Sequence, residues 1–349
     1  MKIVFVNNSN SLNGLKLKNY LYNPGIGGVE YISINLLHNI SDFDEKLNFY
    51  LASDKSISLS NKSNKIQIIK KHQTINDSII VCPVHQLGYL KSIKYENCRI
   101  ILWSHHPHDW IKDFSKTKFE LVSLSSYQFL SNKNISRSSY LIKNPSPKPL
   151  DLRDLPRFKN KIPTKFVYLG AIAPAKGLHL VLKSWPEIRR NFKNASINII
   201  GGDIYHTNNQ SLKIPSISIS YSKKLTRIIR KMSLDDQKSI NFLGVLNFEE
   251  RSNILKNSDI GLLNPTGKSE AYPGSPLECY CHGIPVISGG DFGSYENMKF
   301  FPELDLKKNN LKTIVKTLKD ESKFIELKER SYNYSKKLYQ ENNQIYKNW

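Results

Sequence analysis

The sequence predicts an α/β protein built as two doubly wound parallel sheets in succession. Three observations carry this. Short apolar runs at 3–6, 49–52, 67–69, 79–82, 100–103 and 121–123 alternate with segments of helical spacing; strands that read as continuous apolar runs belong to parallel sheets covered on both faces. A proline-rich stretch, Asn144-Pro145-Ser146-Pro147-Lys148-Pro149, then interrupts the pattern, because proline suits neither a helix interior nor a central strand. After it the alternation restarts, with apolar runs at 165–169, 197–200, 240–243, 260–263 and 286–288. Such alternation packs helices on both faces of a sheet.

Taken in order, the chain opens as strand, glycine loop and helix. The run 3–6 ends in Asn7-Asn8, and a polar loop leads to Pro24-Gly25-Ile26-Gly27-Gly28. Val29, Ile32, Leu36 and Leu37 then have helical spacing. Residues 145–163, polar and basic, read as a linker between a first domain at 1–150 and a second at 151–330. In the second domain the strand 165–169 enters a loop, and Gly177 opens a helix over 177–185. The strand 197–200 ends in Gly201-Gly202-Asp203. A helix at 222–232 has Leu225, Ile228, Ile229 and Met232 on one face and Lys223, Lys224, Arg227, Arg230 and Lys231 on the other. That basic face fits plain solvation or contact with anionic lipid or phosphate. Tyr332, Tyr339 and Tyr346, beside Leu338, Ile345 and Trp349, place one apolar stripe on a terminal helix, 330–349, expected to dock back on the first domain. Two α/β halves leave a cleft at the carboxyl ends of their strands, where ligands of open sheets bind.

Composition narrows the class. Of 349 residues, 39% are apolar and 11% aromatic, enough for real cores and against wholesale disorder. The net charge of +21 suits a polyanionic partner such as nucleic acid, anionic lipid or a phosphorylated substrate; AT-rich coding produces the same excess of lysine. Cys82, Cys98, Cys279 and Cys281 form no C-x-x-C pair, so neither a zinc ribbon nor a redox motif is indicated, and free thiols in a reducing cytoplasm are expected. The first apolar run is too short for a signal peptide, and no stretch is long enough to span a bilayer.

The richest segment for chemistry runs from Glu270 through Tyr272-Pro273-Gly274-Ser275-Pro276-Leu277 to Glu278, then His282-Gly283-Ile284-Pro285 and an apolar strand. Pro276 suits the first turn of a helix with Ser275 as its N-cap. Such a start offers backbone N–H groups and a positive dipole end to a phosphate. Glu270 and Glu278 flank it, and a carboxylate accepts from vicinal hydroxyls. The same residues also describe an ordinary capped helix with two solvated acids. A second segment, Gly170-Ala171 through Lys176-Gly177, puts one lysine at a strand's carboxyl end. There it is placed to neutralise a diphosphate, or is a solvated loop charge.

These motifs resemble the family-4 retaining glycosyltransferases of GT-B fold. The resemblance rests on Glu270-x7-Glu278 followed by His282-Gly283-Ile284-Pro285, on Gly170-x5-Lys176-Gly177, on Phe242-Leu243-Gly244 followed by Glu249-Glu250, and on Gly27-Gly28-x-Glu30. It spans nearly the whole chain and is specific over 165–290. It implies two Rossmann-like domains, an N-terminal acceptor domain and a C-terminal nucleotide-sugar donor domain. Lys176 then binds the donor diphosphate, Glu270 the donor sugar and Glu278 the ribose hydroxyls. Backbone around Gly274 and Ser275 holds phosphate, and Gly27-Gly28 covers the diphosphate. The family's usual Arg after the first loop glycine is Ala171 here, and its usual Gly after the aromatic residue is Pro273. These departures mean an altered donor, a weaker enzyme, a catalytically dead scaffold, or compensation by a residue such as Lys268.

The cluster Trp103-Ser104-His105-His106-Pro107-His108-Asp109-Trp110 follows a predicted strand. Three histidines invite a metal reading, but their spacing does not put two on one helix face. An exposed loop and a strand-end loop facing the cleft are the other readings. The resemblance implies that His105 touches the donor sugar or acceptor; His106 and Asp109 are the acceptor-side candidates. His105, Glu270 and Lys176 are thus the expected catalytic set, with no metal and no cofactor beyond the nucleotide-sugar substrate. The reaction implied is retaining transfer of a sugar to a glycan or lipid-linked acceptor in bacterial surface polysaccharide assembly. The expected setting is the cytoplasm, with peripheral contact to the anionic inner face of the membrane. A nucleotide-sugar epimerase of related fold would use the same cleft with general acid–base groups. A nucleic-acid-binding protein has charge alone in its favour, and nucleic acid is not expected as a partner.

Overall fold

A computed structural model describes residues 1–17, 23–41, 46–59, 66–105, 119–132, 135–136, 138–151, 162–203 and 214–349. The chain forms two compact units. One comprises Met1–Pro145, Glu270–Tyr272 and Glu341–Trp349; the other comprises Ser146–Ser269 and Pro273–Gln340.

The first unit is built on parallel strands β1 (Lys2–Val6), β2 (Asn48–Ala52), β3 (Ile66–Ile69), β4 (Ser78–Pro83), β5 (Arg99–Ser104), β6 (Glu120–Ser123) and β7 (Ser138–Leu141). Their spatial order is β7-β6-β5-β4-β1-β2-β3. Val4, Phe5 and Val6 are all fully buried, so both faces of β1 are covered, as expected of a central parallel strand. Order reverses beside β1, which pairs with β2 on one side and β4 on the other. Helix α1 (Gly28–Ser41) follows the glycine loop and α2 (Ser126–Asn132) follows β6. Two short parallel pairs, Leu15–Leu17 with Ile57–Leu59 and Ile75–Asn76 with Tyr95–Glu96, lie outside the main sheet.

The second unit repeats the design with β8 (Lys165–Leu169), β9 (Ser196–Ile200), β10 (Ile240–Gly244), β11 (Ile260–Leu262) and β12 (Val286–Ile287), in the order β10-β9-β8-β11-β12. All pair in parallel. Its main helices are α3 (Leu178–Asn191), α4 (Ile219–Arg230), α5 (Phe248–Lys256), α6 (Gly274–Cys281), α7 (Leu311–Lys319) and α8 (Glu321–Gln340). On α3, Leu178, Val181, Leu182, Trp185 and Ile188 are buried at helical spacing. Trp185 packs edge-on against Phe166, and its indole N–H donates to Ser239 Oγ at 2.8 Å, so its one polar atom is satisfied in the core. An Asn247–Glu250 capping box starts α5. The architecture is a GT-B fold, two Rossmann-like α/β units in one chain.

Two sequence expectations differ from the structure. The tail is not one helix: α8 ends at Gln340, and a separate α9 (Asn342–Asn348) follows. The stripe of tyrosines seven apart accordingly breaks, leaving Tyr339 exposed, while Phe324, Leu327, Tyr334 and Leu338 form the buried face of α8. Helix α9 belongs to the first unit, where Trp349 packs against Trp103 with ring centroids 4.9 Å apart. The basic helix begins earlier than its apolar spacing suggests, because Ser218 caps it by accepting from the Tyr221 N–H. The first described residues of the expected linker are hydrogen-bonded to α6 and α8. Leu150 N–H donates to Cys281 O, Cys281 Sγ to Pro147 O, and Tyr332 Oη to Leu150 O. Residues 152–161 of that linker lie outside the described residues.

Candidate functional site

In the second unit strand order reverses between β8 and β11, and the crevice outside their carboxyl ends is the site this topology provides. Loops after both strands meet there. Tyr168 Oη donates to the carbonyls of Ala171 and Lys176, at 3.1 and 3.3 Å, and so pins the loop after β8. That loop ends in a 3-10 turn, Pro174–Lys176, and Gly177 at φ +70°. A Cβ on Gly177 would lie 2.9 Å from Pro265 Cδ, so only glycine brings the two loops this close. Lys176 Nζ lies 3.4 Å from Ser269 O, and Thr266 Oγ1 donates to Ala175 O at 3.4 Å. The loop after β11 is shaped by Asn264, whose Nδ2 donates to Lys268 O at 2.9 Å and whose Oδ1 accepts from Thr266 Oγ1 at 2.8 Å. Ala171 is half-buried, and the Lys268 side chain is exposed.

The chain then enters α6. Ser275 is not its N-cap, contrary to expectation: the helix begins at Gly274, and Pro273, with φ −69°, occupies the cap position. Proline has no side-chain acceptor, so no side chain caps this helix start. The first-turn N–H groups of Gly274 and Ser275 therefore receive no capping side chain, and the positive pole of the helix dipole lies at that end.

One turn further, Glu278 receives an ion pair from Arg251 of α5, a residue the sequence reading passed over. The guanidinium side chain is only 6% exposed, and it also donates to Leu246 O at 2.9 Å. Next to it, Ser252 Oγ meets His282 Nε2 at 3.0 Å, while His282 Nδ1 meets Glu278 O at 2.8 Å. Burial holds the His282 imidazole below its usual pKa, so the ring is neutral. Consecutive residues of α5 thus grip Glu278 on α6 and His282, one turn on, at its C-cap. An arginine in a helix carries no motif signature; its partner is set by packing. Behind α6, Tyr280 stacks on Phe301 at 4.9 Å and meets Tyr334 of α8 edge-on at 5.6 Å.

In the first unit the corresponding reversal lies between β1 and β4. Asn23 Oδ1 accepts from the N–H groups of Gly25 and Ile26, both at 2.9 Å, which fixes the glycine loop. A Cβ on Gly27 would collide with the Glu30 carboxylate. Glu30 Oε1 lies 3.6 Å from His85 Nε2, linking the first turn of α1 to the segment after β4. Gly28 is the first residue of α1. His105, directly after β5, is buried against Trp103 with ring centroids 4.2 Å apart. Glu270 groups with this unit, together with Ala271 and Tyr272. His106 and Asp109 lie outside the described residues. Lys176, Gly274, Ser275 and Glu278 are in the second unit. Among the described residues, no three His, Cys, Asp or Glu side chains are grouped to hold a metal ion.

Comparison with known proteins gives this geometry a context. Residues 154–299 match the family profile of glycosyl transferases group 1. No curated protein sequence matches significantly. Among solved structures, TarM of S. aureus, in complex with fondaparinux, alpha-GlcNAc-glycerol and UDP, is similar at TM-score 0.56 and 12% identity; the match covers 77% of this chain. The chain spans about half of TarM's length, 55%. HepE of Anabaena, in complex with UDP and glucose, is similar at TM-score 0.64 and 11% identity over 100% of both chains. Sucrose-phosphate synthase of Thermosynechococcus elongatus is similar at TM-score 0.68 and 12% identity, covering 99% of this chain and 96% of that one. At these identities the likeness is one of fold. The profile match falls mostly on the second unit.

Proposed function

We propose that this chain transfers a sugar from a nucleoside diphosphate to an acceptor hydroxyl, with retention of anomeric configuration. One observation carries the reading: the lysine-bearing loop after β8 and the loop leading into α6 are tied together at the switch point, with Lys176 Nζ 3.4 Å from Ser269 O. Breaking a glycosyl–phosphate bond leaves negative charge on the departing diphosphate. Lys176 and the first-turn N–H groups of α6 supply a preorganised positive field for it. Glu278, oriented by Arg251, takes the ribose hydroxyls, and Glu270 takes the donor sugar. Gly27 and Gly28 cover the diphosphate; His105 touches the donor sugar or acceptor. His106 and Asp109 stand on the acceptor side. Retention follows if the acceptor attacks the face that the diphosphate leaves. This assigns the diphosphate's charge to side-chain and backbone donors and calls for no metal or other cofactor. Ala171 removes one cation from this arrangement, and Lys268 on the adjoining loop is the replacement we assign.

UDP is bound in the TarM and HepE structures, which makes UDP-sugars the first donors to test. The acceptor we propose is a glycan or lipid-linked hydroxyl of bacterial surface polysaccharide, met at the inner face of the membrane. A thermal-shift screen against nucleoside diphosphate sugars tests the donor site. One donor class raises the melting temperature of the wild type, and Glu278→Ala abolishes the shift. A wild type that no such nucleotide stabilises overturns the reading.

A further inference from the structure

We infer that the outward face of α4 is a docking surface for an anionic lipid bilayer. Tyr221, Ser222 and Leu225 bury one side of this helix. Helical spacing puts Ile219, Lys223, Arg227 and Arg230 on the opposite side. Lys223, Lys224, Arg227, Arg230 and Lys231 are all exposed, and among the described residues none of them forms an ion pair. The helix Ile219–Arg230 contains no acid. The next acids, Asp235 and Asp236, follow it, and Asp236 is engaged by Arg189 at 3.3 Å. Helix α3, packed beside α4, adds exposed Lys183 and Arg190. His179 of α3 meets Tyr221 Oη of α4 at 3.0 Å, and burial first, then Lys224 and Lys183, lower its pKa from the usual histidine value, consistent with a concentrated positive field.

Charge alone would suit any polyanion. The apolar side chains select the bilayer. Ile219, at the first position of the helix and on its basic side, is 60% exposed, Ile217 is 41% exposed just before it, and Leu234 is 72% exposed just after the helix. A branched aliphatic side chain gains by entering the headgroup–acyl boundary and gains nothing against a phosphodiester backbone. Exposed basic side chains beside exposed aliphatic ones offer both attraction to anionic headgroups and apolar surface to bury among them. The inference does not depend on the transfer reaction.

Co-sedimentation with vesicles tests it, using phosphatidylcholine alone and phosphatidylcholine containing phosphatidylglycerol. The wild type is expected to bind only the anionic vesicles, and less at high salt. Replacing Lys223, Arg227 and Arg230 together by alanine weakens binding about 100-fold, from the attraction expected of three basic residues near such a surface. Ile219→Ser with Leu234→Ser also weakens it, at unchanged net charge. The control replaces exposed Lys308, Lys312 and Lys316 by alanine, removing the same charge elsewhere, and retains wild-type binding. Equal loss in both triple variants, binding indifferent to the serine pair, or no binding to anionic vesicles overturns the inference. Tighter retention on duplex DNA than on vesicles, lost in the α4 triple variant, overturns it in favour of nucleic acid.

Discussion

Arg251 and Glu278 form an ion pair between neighbouring helices of the second unit, with the arginine almost wholly withdrawn from water. The pair occupies one carboxylate oxygen, and a carboxylate carries two. Arg251 therefore fixes the direction of the carboxylate whose second oxygen is the one proposed to meet a ribose. Arg251→Ala is expected to raise the donor KM about tenfold or more with a smaller change in kcat, as loss of ground-state binding does. Arg251→Lys restores part of the affinity. The double variant with Glu278→Ala binds no more weakly than Glu278→Ala alone. Titration calorimetry with UDP across this cycle checks it; additive losses would mean that Arg251 does not act through Glu278.

Lys176 faces the loop that leads into α6. If its ammonium meets charge that grows as the diphosphate departs, Lys176→Ala lowers kcat roughly 10²–10³-fold. The folded structure survives, because the lysine lies in a half-exposed turn. Single-turnover rates with a saturating donor, beside an unchanged melting curve, distinguish this from a folding defect.

Stability has a separate anchor. Lys328 of α8 bonds Asp259 at 3.0 Å with both side chains buried, and the other Asp259 oxygen accepts from the N–H groups of Thr164 and Lys165 at 2.9 Å each. Lys328→Met leaves a buried carboxylate without its cation and is expected to cost about 3–5 kcal/mol in urea unfolding. Combining it with Asp259→Asn recovers part of that loss.

The pH dependence of stability follows from His282. Burial lowers its folded pKa below the ordinary 6.5, Lys256 and Arg251 act the same way, and Glu278 opposes them. Between the folded value and 6.5 the unfolded chain binds more protons, so stability rises with pH there. The contribution is full above 6.5 and is lost as pH falls toward the folded value. His179 shifts in the same direction. Urea midpoints measured from about pH 5 to 8 should therefore fall on the acid side, and less steeply in His282→Asn than in the wild type.

The sequence disclosed most of the fold where strands are buried on both sides. Lys165–Leu169 ends where its apolar run ends, and β1, β4 and β5 differ from their runs by a residue or so. It concealed β7, Ser138–Leu141, because an edge strand with Tyr140 and Leu141 exposed has no core face to write an apolar pattern. It misplaced the start of α6, since proline followed by glycine defines a helix entry by backbone angles rather than by a capping side chain. Lys176 and Glu278 stood out because motif spacing marks them. Arg251, Ser252 and Tyr168 did not, because their roles depend on partners brought near only by the sheet and its helices.

The stack of Tyr280 on Phe301, closed by Tyr334, sets a boundary of its own. The match to the glycosyl transferases group 1 profile stops at residue 299, ahead of both Phe301 and Tyr334. Excised at that point, it would carry Glu278 on a helix stripped of its backing wall. The stretch that the profile spans is thus smaller than the set of residues packed around the helix that carries Glu278.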